Sequence, residues 1–319
     1  MAPRRDIETL VKVARLYYAE GRNQSRIARE LDISTSSVSR MLTQARNEGL
    51  VTIIINDPNA TVERCPELEK DLIDRFALTR AWVAKDSPGV PALDLVGRLA
   101  AEVFVDLAPQ IRSVGLSWGR TVASFARSVN LPAQIPSLEL YPLAGGMPDE
   151  DAATSGNAVI GMLAEGCGGR AHRVDAPAIV QAARTGRALR AEPMVARALE
   201  AAARSDLAFV GVGSMGVHWS AGIVRTMNLS DEELEELRTS GVAGDLCGRF
   251  LNDEGKPIVT VADDHVIGVT LDQLAAIPRR IGVMSGAEKS RGATAALRSG
   301  VLTGVVLDEH LAEVILSAS

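Results

Sequence analysis

Residues 24–42 read Gln24-Ser25-Arg26-Ile27-Ala28-Arg29-Glu30-Leu31-Asp32-Ile33-Ser34-Thr35-Ser36-Ser37-Val38-Ser39-Arg40-Met41-Leu42, and their spacing predicts two short helices joined by a tight turn. Ile27, Ala28 and Leu31 fall on one face of the first, and Val38, Met41 and Leu42 on one face of the second, so the pair can share a small core. The opposite face keeps Thr35, Ser36, Ser37, Ser39, Arg40, Gln44 and Arg46, with Gln24 at the start of the pair. Hydroxyls, amides and guanidinium groups of this kind read base edges in the major groove and hold phosphates. Ser34 stands at the N-cap position and completes the candidate DNA-binding set. Ahead of the pair, Ile7, Leu10, Val11, Ala14, Leu16 and Tyr17 predict an amphipathic helix stopped by Gly21. Behind it, Gly49 ends the second helix and the β-branched run 50–55 suits a wing, giving a winged helix-turn-helix domain over residues 1–56.

Charge divides the chain in the same place. Residues 1–50 hold nine Lys and Arg against six Asp and Glu, a net +3, which leaves −9 for the remainder of a chain whose total is −6. Only the N-terminal segment has the sign that favours phosphate, and its excess is small, so two or more copies on paired half-sites are expected. A length of 319 residues suits one DNA-binding module and one larger domain of about 250 residues. The 46 % apolar content with 3 % aromatics points to a core of Ala, Val, Leu and Ile. No segment has the roughly 18 apolar residues of a membrane helix and the start lacks a signal-peptide pattern, so a cytoplasmic protein without membrane contact is expected. Cys65, Cys167 and Cys247 are far apart and odd in number, which reads as buried thiols rather than disulfides or metal ligands.

After a hinge at 56–60, the second domain, 57–319, opens on a helix marked by Leu68, Leu72, Ile73, Phe76 and Leu78. Apolar strands are expected at 81–84, 113–116, 138–143, 207–212, 258–262, 281–284 and 305–307. Helices fall between them at 93–107, 121–129, 158–165, 194–204, 231–239 and 289–298. This alternation predicts an α/β fold with a doubly wound, mostly parallel sheet, whose ligands bind beyond the carboxyl ends of the strands. Three turns sit at such ends. Ser117-Trp118-Gly119-Arg120-Thr121 opens a helix with amides, hydroxyls and a cation that suit a phosphate. Ala144-Gly145-Gly146 and Ser285-Gly286-Ala287-Glu288-Lys289 are the others. Each also suits a plain strand-to-helix connection, but three together, two with a cation, point to a small anionic ligand.

These residues resemble the SorC family of bacterial sugar-responsive transcriptional regulators over nearly the whole chain. The matching motifs are Val38-Ser39-Arg40-Met41-Leu42, Gly115-Leu116-Ser117-Trp118-Gly119-Arg120-Thr121, Pro142-Leu143-Ala144-Gly145-Gly146, Gly244-Asp245-Leu246-Cys247-Gly248-Arg249-Phe250, and Ser285-Gly286-Ala287-Glu288-Lys289 followed by Ala295-Ala296-Leu297-Arg298-Ser299-Gly300. The resemblance implies an effector domain similar to sugar-phosphate isomerases, a homotetramer built from dimers, and release or rearrangement on operator DNA when a phosphorylated sugar binds. It implies that Ser117, Gly119, Arg120 and Thr121 hold the phosphate with Lys289, that Asp245 lies near the sugar hydroxyls, and that Gly145 and Gly146 belong to the effector site. Ser285 stands where the family often has glycine, and His265 where arginine is common. Ala144 replaces the lysine with which the deoxyribonucleoside regulators can form a Schiff base, which excludes covalent capture at that position.

The leading expectation is therefore a DNA-binding regulator under the control of a sugar or sugar-phosphate effector, with no catalytic residues, cofactor or metal. The alternative is an enzyme on an isomerase-like fold, for which Asp245, Asp263, Asp264 and His265 are the nearby candidates for proton transfer. His172, His218 and His265 read as packing or hydrogen-bonding residues. A constitutive architectural DNA binder would leave the acidic larger domain without a purpose.

Overall fold

Side-chain caps and a left-handed turn set the helices of the first of two units, Met1–Asn59. The computed structural model describes residues 4–51, 61–147, 153–217 and 219–318. Helix α1 (Arg4–Ala14) runs into a π-helical turn at Arg15–Ala19, followed by α2 (Gln24–Glu30) and α3 (Thr35–Asn47). The Asn23 side chain accepts the N–H of Arg26 at 2.9 Å and Ser34 Oγ accepts that of Ser37 at 3.1 Å, so α2 and α3 each start on a capped turn. Asp32, at φ +52°, lies in the turn between them. Val13, Leu16, Ile27, Ala28, Val38 and Leu42 form the core. Ile7 and Val11, expected on that face, are exposed instead. The π turn carries one residue more than an α turn, which brings Leu16 and Tyr17 back onto the core while the stripe of α1 above it turns to Leu10, Val13 and Ala14. Ser34→Ala removes the α3 cap and is expected to cost about 1 kcal/mol, read as a lower urea midpoint for this unit. The hinge at 56–60, and the wing run 50–55 beyond Val51, lie outside the described residues.

The second unit, Ala60–Ser319, is a sheet with helices on both faces. Its strands are β1 (Arg80–Ala84), β2 (Ser113–Leu116), β3 (Glu139–Pro142), β4 (Arg170–Ala171), β5 (Leu207–Ser214), β6 (Val242–Leu246), β7 (Arg249–Asn252), β8 (Arg279–Met284) and β9 (Gly304–Asp308). Its helices are α4 (Pro66–Phe76), α5 (Ala92–Leu107), α6 (Arg120–Ser128), α7 (Gly156–Cys167), α8 (Ala183–Ala191), α9 (Pro193–Ala202), α10 (Trp219–Thr226), α11 (Asp231–Thr239), α12 (Leu271–Ala276), α13 (Ser290–Arg298) and α14 (Glu309–Ser317). The main path runs β1-β9-β8-β5-β2-β3-β4 with every pair parallel, and an antiparallel β6–β7 hairpin extends from β5. Strands covered on both faces read as continuous apolar runs, as 207–210 do. One face buries Phe104, Phe125 and Phe209 beneath α5, α6 and α7; the other buries Leu72, Leu297 and Leu311 from α4, α13 and α14.

Two expectations fail for local reasons. The apolar run 258–262 is not a strand: Ile258 keeps one ladder bond to the Phe250 carbonyl, then Thr260 caps a 3-10 turn at Val261–His265 and Asp263 reaches back to the Thr260 N–H at 3.1 Å. A reciprocal cap of this kind diverts the chain before a second ladder bond can form. The β6–β7 hairpin was absent from the strand expectations because Gly244, Asp245 and Gly248 dilute its apolar pattern. Its turn is Cys247-Gly248, at φ +52° and +75°, and the Asp245 carboxylate accepts the Gly248 N–H at 3.0 Å. Two successive positive φ values match the right-handed twist of a tight hairpin, and glycine takes the second without strain. Helices α8, α10, α12 and α14 and the two-residue strand β4 were likewise absent from the expected elements.

Candidate functional site

Chain order and strand order part company between β2 and β5. From β2 the chain moves outward to β3 and β4; from β5 it moves the opposite way to β8 and β9. Loops leaving adjacent strands in opposite directions open a crevice at their carboxyl ends. A cleft lies there, lined by the turn 117–121, the end of β5, the β6–β7 hairpin and Lys289. Six of the eight residues expected to hold an effector line it: Ser117, Gly119, Arg120, Thr121, Asp245 and Lys289.

Their roles differ. Ser117 is buried, and its Oγ accepts the Gly211 N–H at 2.8 Å and donates to the Trp118 carbonyl at 3.2 Å. That hydroxyl stitches β2 to β5. Gly119, at φ +112°, is the N-cap of α6, a conformation that favours glycine, and no side chain caps the helix. The first-turn amides of α6 consequently face the cleft end of a helix whose dipole favours an anion. Thr121 is buried, and its hydroxyl makes no hydrogen bond among the described residues. Asp245, 4 % exposed, is held opposite Gly213 of β5 by the hairpin ladder.

The cleft cations differ from the two arginines buried nearby, which are matched. Arg249 donates to the Asp263 carboxylate at 3.0 Å and to the Asp263 carbonyl at 2.8 Å, and Arg190 donates to Asp264 at 2.8 Å. Lys289, half-buried, and Arg120, exposed, make no ion pair or hydrogen bond among the described residues through their side chains. Burial, followed by the repulsion of Arg120, holds the Lys289 ammonium below the ordinary lysine range; Glu288, Asp245 and Asp308 pull the other way. The folded state therefore disfavours the charged form, and this cost falls away as pH rises through the lowered pKa. A bound anion reverses the shift. Phosphate-ester affinity is expected to rise as the ester becomes dianionic above about pH 6 and to fall at a pH below that of an ordinary lysine, a bell that calorimetric titration across pH would trace.

Gly145 and Gly146 are not in the cleft. The Gly145 N–H donates to Ile267 and that of Gly146 to Ala176, so both amides are spent where the chain crosses neighbouring segments. Trp118, Cys247 and Ile223 line the cleft without having been assigned to it. Burial, followed by Asp245, pushes the Cys247 thiol up to about 12, which leaves it protonated and inert. Cys167 is buried and Cys65 half-buried, not fully buried as expected; all three thiols are free. His265 Nδ1 bonds the Val180 carbonyl at 2.8 Å, and His172 stacks on Tyr141 and meets Glu139; His218 lies outside the described residues. No group of three His, Cys, Asp or Glu among the described residues could hold a metal ion, and no described helix is long and apolar enough to cross a membrane.

On the first unit, Thr35, Ser36, Ser39, Arg40, Gln44 and Arg46 are exposed along α3. Ser34 is exposed but occupied as the cap, Ser37 is half-buried against it at 2.8 Å, and Gln24 is half-buried at the start of α2. Arg40 makes only long contacts within its own helix, 3.4 Å to the Ser36 carbonyl and 3.4 Å to Ser37 Oγ.

The family model described as "Putative sugar-binding domain" matches residues 60–317. The transcriptional regulator LsrR of Enterobacter sp. (strain 638) is 29 % identical over 311 residues, 97 % of this chain and 93 % of that protein. The sorbitol operon regulator of Klebsiella pneumoniae is 29 % identical over 333 residues, 98 % of both chains. The crystal structure of the full-length sorbitol operon regulator SorC from the same organism is similar at a TM-score of 0.71 and 28 % identity, across 98 % of this chain and 99 % of that one.

Proposed function

The chain belongs to the SorC family of sugar-binding transcriptional regulators, and on that premise we propose that it regulates carbohydrate genes by gripping operator DNA under the control of a small sugar or sugar phosphate held in the β2–β5 cleft. In this reading residues 1–56 are a winged helix-turn-helix domain with α3 in the major groove, and residues 57–319 bind the effector and join copies of a cytoplasmic homotetramer. The observation that carries the effector assignment is the pair of cations, Lys289 and Arg120, that have no ion-pair partner among the described residues and stand beside the uncapped start of α6. Such a site is complete only when an anion enters. The larger unit supports the assignment because the cleft lies at the carboxyl ends of an open parallel sheet, where such sheets bind their ligands.

The test is a thermal-shift screen of the full chain with inorganic phosphate, sugar phosphates, free sugars and polyols, followed by an assay for consumption of each hit. A regulator gains stability by mass action and leaves its ligand unchanged. Turnover of a hit would move the protein to the enzyme reading. Light scattering at micromolar concentration is expected to show a dimer or tetramer, since one small cationic excess holds DNA weakly against salt; a monomer would contradict the assembly.

A further inference from the structure

We propose that Thr43 reads a thymine of the operator by methyl-to-methyl contact, which makes it a specificity-determining residue that the sequence pattern did not single out. This deepens the reading of α3 as the helix in the major groove and rests on it.

Helix α3 buries Val38, Leu42 and Ala45. With about 3.6 residues per turn, the line opposite that buried stripe runs through Ser36, Arg40, Thr43 and Asn47, and all four are exposed. Thr43 therefore follows Arg40 by one turn on the same side, with Cβ atoms about 5–6 Å apart. Base pairs rise about 3.4 Å along the duplex, so Thr43 meets a base one or two steps from the one that faces Arg40. Its hydroxyl is already engaged: it donates to the Ser39 carbonyl one turn back at 3.1 Å, and Arg46 Nη2 approaches the same oxygen at 3.4 Å. A hydroxyl has a single proton to give. With that proton on Ser39, Thr43 has none for a phosphate oxygen, guanine N7 or O6, adenine N7 or thymine O4, which are all acceptors. The Arg46 guanidinium also competes with base amino groups for the lone pairs of that oxygen. The outward group left on this branched side chain is its methyl. Among the four bases only thymine presents a methyl in the major groove, and apolar contact with it is the readout open to a threonine methyl.

Anisotropy titrations of the full chain would use a site selected from random duplex DNA, with each thymine replaced in turn by uracil, which lacks only the methyl. At one thymine the parent is expected to lose about two- to fivefold in affinity, the worth of one buried methyl. Thr43→Ser, which keeps the hydroxyl, is expected to bind thymine and uracil equally there, and Thr43→Val, which keeps the methyl, to retain the parent's preference. Both changes fall at an exposed position and among residues of similar helix propensity, so each variant is expected to unfold at the parent's temperature. A parent indifferent to uracil at every thymine overturns the proposal, and this comparison needs no variant. A preference kept by folded Thr43→Ser, or lost by folded Thr43→Val, overturns the methyl as the reading group. Selection that enriches no DNA, or an affinity left unchanged by Arg40→Ala and by both Thr43 variants, overturns the reading of α3 as the groove helix. That failure is distinct from equal binding of thymine and uracil by a protein that does depend on Arg40.

Discussion

Lys289→Ala is expected to abolish the response to a sugar-phosphate effector while leaving operator binding intact. The ammonium has no anionic partner within ion-pair distance among the described residues and is held in its charged form at a cost from burial and from Arg120. Removing it deletes a charge-assisted contact that forms only with the ligand, a loss of about 1.5–3 kcal/mol in effector affinity, or roughly ten- to 150-fold. Without ligand the variant is expected to unfold at the same temperature as the parent or slightly higher, because an unmatched half-buried cation has gone. This sign separates a ligand-binding lysine from a structural one. A structural lysine would lower the unfolding temperature when lost and would leave the ligand-induced shift in place. Effector control also needs two states with different ligand affinity, since equal affinity for both shifts nothing. Anisotropy titrations of operator DNA with and without effector would show the parent changing its grip and the variant not.

Arg40→Ala is expected to weaken operator binding by about 1–3 kcal/mol, roughly five- to 150-fold, without disturbing the fold. Its guanidinium is exposed on α3 and makes only 3.4 Å contacts within its own helix, so little structure depends on it. The salt dependence identifies the contact. Loss of a phosphate contact lowers the slope of log K against log salt by about one, whereas loss of a guanine contact leaves the slope and relaxes preference at one base pair. On DNA obtained by in vitro selection, unchanged affinity would remove Arg40 from the interface.

Where the deciding interactions span only a few residues, the amino-acid pattern alone carried the answer. The α2–α3 pair was legible because its caps, Asn23 to Arg26 and Ser34 to Ser37, and its apolar spacing lie within one or two helical turns. Strands at 113–116 and 281–284 were legible because each is an apolar run between turn residues. Likewise the turn 117–121 and Lys289 were candidates from residue type alone.

Tertiary structure decided which candidates meet. Three glycine-bearing turns looked equivalent in the chain, yet the strand order seats Ser117–Thr121 and Lys289 in one cleft and spends the amides of Gly145 and Gly146 on Ile267 and Ala176. Ser117, a candidate ligand donor by type, became a stitch to Gly211 because β2 and β5, about ninety residues apart, are neighbours. The β6–β7 hairpin that brings Asp245 and Cys247 to the cleft depends on pairing with β5, and the run 258–262 lost its strand to a reciprocal cap at Thr260 and Asp263. Residue type and periodicity set what each segment can do; long-range strand pairing, whose partners no local pattern names, sets which segments stand together.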